Sequence, residues 1–197
     1  NGLKIPDIHT KPDNLRDLLQ KKFGTFPLFN FWGPKANINS SNWIANASKE
    51  VVTKYNPTLT LIYLPHLDYP LQRVGPSHPS IPSEIAAIDN IAGDLINFLK
   101  SKDRKIILLS EYGITETKEG IAPNVLLKQS NLLKVRIEMG EEHLDAGSSR
   151  AFAVPDHQVA NIYIKNTKDI KKVIEVLSSD KRIEQILTKD DMLKMGI

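Results

Sequence analysis

The sequence contains no cysteine, which excludes a disulfide framework and any thiolate-ligated metal site and leaves the cellular compartment open. It has no apolar stretch approaching the roughly 20 residues needed to cross a bilayer. The N-terminal residues lack the basic and apolar regions of a signal peptide. Charge of either sign is unconcentrated: 26 Lys and Arg against 23 Asp and Glu give a net charge of +3 with no basic run of the kind that tracks a phosphate backbone. Neither nucleic acid nor a membrane is therefore expected as a partner. Internal repeats and low-complexity tracts are absent. So is an initiator methionine: the chain opens at Asn1, followed by the turn-prone Gly2 and Pro6, as expected of a segment from the middle of a longer protein.

What is present suffices for one core. With 197 residues, 41% of them apolar, one domain is expected. Asp13 is placed to cap a short helix whose Leu15, Leu18 and Leu19 share a face, and Gly24 to end it. The aromatic run from Phe26 to Pro34, broken by Pro and Gly, suits an irregular buried segment. Its Phe29, Phe31 and Trp32, like Trp43, read as core rather than as a base-stacking platform. Ser40 or Ser41 would cap a helix through Lys54, ended by Asn56 and Pro57.

Residues 59–64 form a short apolar, β-prone run that reads as a strand covered on both faces. A long helix follows from about Ser83 to Lys100, with Ile85, Ile88, Ile91, Ala92, Leu95, Ile96 and Leu99 as its buried stripe. Residues 105–110 then read as a second buried strand. Strand, helix, strand is a βαβ crossover, so the expected class is α/β, a mostly parallel sheet with flanking helices. Beyond it lie a short helix near residues 124–129 and strand-like runs at 132–139, 150–154 and 159–165. Gly140 and Gly147 bracket a polar turn. Thr167 would cap a helix through Leu177, and an amphipathic stretch with Ile183, Ile186, Leu187 and Leu193 closes the chain.

In open parallel sheets ligands bind beyond the carboxyl ends of the strands. Asp68 falls just past the first expected strand, in a loop stiffened by Pro65 and Pro70 with His66 and Gln72 beside it. Glu111, followed by Tyr112 and Gly113, occupies the same position after the second. Two carboxylates brought to one edge either share a proton or bind a cation. The competing reading is that both are solvated loop caps, because turns favour acidic residues for local reasons. His157 lies between two strand-like runs with Asp156 positioned to orient its ring, or it is a surface histidine. His9, His78 and His143 read as solvated.

At these positions the chain resembles a family. The string Tyr63, Leu64, Pro65, His66, Leu67, Asp68, Tyr69, Pro70, Leu71, Gln72, Arg73, Val74, Gly75, Pro76 is similar to the metal loop of the nucleotide pyrophosphatase/type I phosphodiesterases of the alkaline phosphatase superfamily. That loop runs Tyr, four to five residues, Asp, three residues, His, then Gly and Pro. Ile106 to Ile114, with Ser110, Glu111, Tyr112 and Gly113 at its centre, resembles their second loop, a strand followed by Ser, Asp, His, Gly, Met. The stretches 26–34, 40–51 and 150–164 resemble a bacterial branch of the same enzymes.

The resemblance implies an alkaline-phosphatase-like core, two divalent metal ions (Zn, Mn or Mg) and a small phosphodiester or nucleotide substrate. Asp68 would ligate one metal and Glu111 the other. Gln72 and Tyr112 stand where histidine ligands are usual, and amide oxygen and phenol are poorer zinc ligands than imidazole. The site would then favour a harder cation, or His66 and His157 would fill the vacancies. The resemblance also places the nucleophile and the first aspartate ligand before Asn1 and the last histidine ligand after Ile197, so the segment alone is expected to be inactive. Two other readings stand beside it: a phosphomutase or sulfatase relative on the same scaffold, and a non-catalytic interaction module.

Overall fold

Helix formation follows apolar spacing and good end signals, and the computed structural model, which describes residue 5 and residues 7–197, shows where those signals hold. The turn expected around Gly2 and Pro6 lies outside the described residues. Two compact units divide the chain, 1–117 and 118–197.

In the first unit α1 (Asn14–Phe23) packs on α2 (Ile38–Tyr55), and α2 packs on α4 (Ile81–Lys100). Leu15 and Leu19 meet Ala47, with Leu18, Phe23, Trp43 and Val51 around them. The Trp43 indole donates to the Gly24 carbonyl at 2.9 Å, which ties α2 to the end of α1. The cap of α2 is Asn37, not Ser40 or Ser41: its side chain accepts from the Asn39 amide, and both serines are buried within the helix. Asn56 ends α2 in the left-handed region, as expected of its residue type. Around the short 3-10 helix Leu28–Asn30, Phe26 is buried, but Trp32 (60% exposed) and Phe29 are not core. Trp32 instead lies edge-on to Phe31, ring centroids 4.6 Å apart.

The expected parallel sheet is not formed. Residues 59–64 and 105–110 run irregularly on either side of α3 (Asp68–Val74) and α4, without a strand ladder among the described residues. Leu61 and Ile107 are each 87% exposed, and Leu59, Leu108 and Leu109 are exposed with them. Apolar composition reports a tendency to be buried, but a ladder needs a neighbouring backbone about 4.8 Å away, and the sequence does not name one. For the same reason only Leu95 of the expected α4 stripe is buried, and Ile85 lies half in solvent.

The described strands belong to the second unit, in two antiparallel pairs: β1 (Val135–Glu138) with β2 (Glu141–Leu144), and β3 (Ala151–Asp156) with β4 (Val159–Ile164). Their core gathers Leu127 of α5 (Pro123–Gln129), Leu132, Leu133, Ala151, Ala153, and Val173, Val176 and Leu177 of α6 (Ile170–Ser178). Alternation puts Ala151 and Ala153 inside and leaves Val154 and Tyr163 outside. Asn124 completes the buried edge of β3: its amide accepts from the Ala153 N–H at 2.7 Å and donates to the Ala153 carbonyl at 2.9 Å. Arg150 holds the buried Asp169 carboxylate by both oxygens, which keeps that carboxyl below its ordinary range. The closing helix α7 is confined to Lys189–Lys194, where Thr188 and Asp191 form a capping box. No helix of the described residues is long and apolar enough to cross a membrane.

Asn124→Ala strips both backbone groups of Ala153 of their partner. It is expected to destabilise the second unit by about 1–3 kcal/mol per unsatisfied group. Asn124→Asp, which can accept but not donate, should lose less, as measured by urea unfolding of the 197-residue chain.

Candidate functional site

Two loops of the first unit meet at the Asp68 carboxylate. Pro65 and the buried His66 lead into α3, whose first residue is Asp68 and whose end is turned by Gly75 at φ +81. The second loop runs from Ser110 to Glu116, and the Ser110 hydroxyl donates to the Tyr112 carbonyl at 2.7 Å, folding the chain tightly around Glu111.

Two hydrogen bonds join the loops. The Tyr112 hydroxyl donates to Asp68 Oδ1 at 2.8 Å. The Ser77 amide donates to Glu116 Oε1 at 3.1 Å. Glu116 also explains why the turn uses glycine: a Cβ at position 75 would lie 2.8 Å from its Oε2, at a φ that L side chains rarely adopt. Within the first loop the Gln72 amide donates to the same Asp68 Oδ1, also at 2.8 Å, one helical turn on.

Glu111, next to Tyr112 in the chain, adds its charge to the tyrosines of this region. The hydrogen bond to Asp68 pushes the Tyr112 phenol up to about 12, helped by burial, by the Asp68 charge and Tyr63, and by Glu111. Tyr63 is raised as well, first by burial and then by the charges of Asp68 and Glu111. Both tyrosines thus feel both carboxylates, each of which makes a nearby phenolate costlier. A cleft beside Gln72 is lined by Gly33, Pro34, Tyr69 and Arg73, and the Arg73 guanidinium donates to the Pro34 carbonyl at 3.4 Å.

The sequence candidates therefore separate. Asp68, Gln72, Tyr112 and Glu111 share one region. His66 has its Nε2 2.8 Å from Glu84 Oε2 of α4, its ring is only 5% exposed, and its Nδ1 is enclosed without a hydrogen bond. As placed, it clamps the loop to the helix. His157 belongs to the second unit, at the turn between β3 and β4, with Nδ1 2.6 Å from Asp156 Oδ1 and φ +54. Positive φ at the first residue of a two-residue turn is what a tight hairpin requires. His9, His78 and His143 are exposed, as expected. Glu116 was missed by sequence reasoning.

Helices with two small antiparallel strand pairs make this, among the described residues, a chain of the α/β class. It belongs to the type I phosphodiesterase / nucleotide pyrophosphatase family, whose sequence profile matches residues 2–195. No curated protein and no solved structure matches the chain significantly. Enzymes of this family generally use divalent metals. The donor set here does not by itself complete such a centre: among the described residues no three His, Asp or Glu side chains gather around one point, and His66 is engaged with Glu84.

Titration of absorbance near 295 nm should show Tyr112 ionising about two units above an ordinary tyrosine, and the component should vanish in Tyr112→Phe. A native phenol that keeps its proton longer than the unfolded one adds stability that is whole below pH 10 and is lost as pH rises through 12. Asp68→Asn should return the Tyr112 transition toward 10.

Proposed function

We propose that this chain supplies the acidic loops of a metal-dependent hydrolase that cleaves phosphodiester or pyrophosphate bonds in small phosphodiester or nucleotide substrates. The carrying observation is the hydrogen bond that Tyr112, next to Glu111 in the chain, donates to Asp68, in a chain of the phosphodiesterase family. Two carboxylates facing a substrate phosphate repel it. At an effective dielectric of about 20, each pair of like charges roughly 4 Å apart costs on the order of 4 kcal/mol. Divalent cations between them reverse that sign, which is the chemistry a metal supplies in this family. In this chain the part played is to supply the Asp68 and Glu111 loops, the first of which borders a cleft lined by Gln72 and Arg73.

The catalytic nucleophile is not among these 197 residues on this reading, since no serine or threonine lies in a matching motif. Leu59, Leu61 and Tyr63 stand exposed along residues 59–64, as do Ile107, Leu108 and Leu109 along 105–110. Engagement of His66 with Glu84, and of Gln72 and Tyr112 with Asp68, favours a second reading, a binding module without catalysis.

The 197-residue chain should show no significant turnover of bis-p-nitrophenyl phosphate with Mn²⁺ or Zn²⁺, and robust metal-dependent hydrolysis would contradict the assignment of the nucleophile elsewhere. Calorimetry should detect divalent cation uptake that Asp68→Ala and Glu111→Ala abolish. Absence of any uptake by the parent chain selects the non-catalytic reading.

A further inference from the structure

Gln72 and Tyr112 occupy positions where the resemblance calls for imidazole, and both donate to one oxygen of one carboxylate. We propose that these two residues are positioning groups for Asp68 rather than metal ligands, fixing its Oδ1 so that Oδ2 alone is presented outward. The inference rests on the reading of Asp68 as a cation-facing carboxylate.

The geometry carries it in three steps. An ionised carboxylate can only accept hydrogen bonds, so the Gln72 amide must turn its nitrogen toward Asp68, which directs its carbonyl oxygen elsewhere. The Tyr112 hydroxyl directs its proton at the same oxygen, so it stands as a donor to Asp68. The two donors come from different places, one from the turn of α3 that follows Asp68 and one from the loop after residue 110, so together they fix the carboxylate in rotation as well as position. Among the described residues no donor meets Oδ2. Groups that orient a ligand in this way tune its affinity without contacting the ion.

The test uses Tyr112→Phe and Gln72→Leu in the 197-residue chain, substitutions at exposed side chains that leave the fold's buried contacts intact. In metal-free protein the Asp68 carboxyl ¹³C resonance, identified by its disappearance in Asp68→Asn, should move in both variants. Mn²⁺ affinity should fall roughly 10- to 100-fold in each while stoichiometry is kept, and should vanish in Asp68→Ala. A resonance that stays in place in both variants overturns the proposal whether or not the chain takes up metal. Loss of Mn²⁺ in Tyr112→Phe or Gln72→Leu as complete as in Asp68→Ala also overturns it, by showing a ligand. A parent chain that takes up no Mn²⁺ sinks the reading of Asp68 as cation-facing, while the resonance still decides whether Gln72 and Tyr112 hold it.

Discussion

Two hydrogen bonds join the acidic loops, and one of them ends on Asp68 Oδ1. Gln72 reaches it from within α3 and Tyr112 reaches it from the loop that follows α4, so a contact between residues 44 positions apart closes a circuit through the intervening helix. Glu116 closes a second, parallel circuit through the Ser77 amide. A carboxylate at the first position of a helix is favoured by the helix's own amides, but that preference acts within about one turn and cannot align it with a distant loop. Alignment comes from the cross-loop bonds. Charge-assisted hydrogen bonds of this kind are stronger than neutral ones, although exposure to solvent on both tyrosine and carboxylate screens them.

Around that joint the first unit is incompletely covered. Domains stabilise themselves by enclosing apolar surface, yet Leu59, Leu61, Ile107, Leu108 and Leu109 stand in solvent, and most of the α4 stripe is only partly covered. The second unit shows the contrast: Leu127 is fully enclosed, β3 and β4 satisfy each other's backbone, and Asn124 pairs the remaining edge of β3. The helices of the first unit are held to one another by α1, α2 and α4 contacts, so its integrity does not depend on a sheet.

Helices were legible because their information is local. Gly24 at the end of α1 and Asn56 at the end of α2 each act over a few residues and proved to be where expected, as did the span of α4 though not its buried stripe. The strand partners were not legible, because a run such as 105–110 states that it is apolar without stating what lies beside it. β2 was hidden for the opposite reason: Glu141, Glu142 and His143 carry no apolar alternation, and the strand exists through its pairing with β1. Of the candidate site, the residue types and the spacing of Asp68 and Glu111 were readable. The direction of each side chain was not, and that is what separates His66, turned to Glu84, from Tyr112, turned to Asp68.

Direction also changes what the departures from the family pattern mean. Judged by residue type alone, Gln72 and Tyr112 are missing imidazoles and a weakened zinc site. Judged by geometry, they are two neutral donors that keep a negative charge in place without neutralising it. Zinc owes much of its affinity in proteins to nitrogen and sulfur ligands, whereas carboxylate, carbonyl and water suit magnesium and manganese. The chain has no cysteine, its buried histidine is engaged elsewhere, and its converging side chains are carboxylates backed by amide and phenol. Oxygen groups of that kind suit hard cations rather than soft ones, and one of them, the Tyr112 phenol, also joins the two loops.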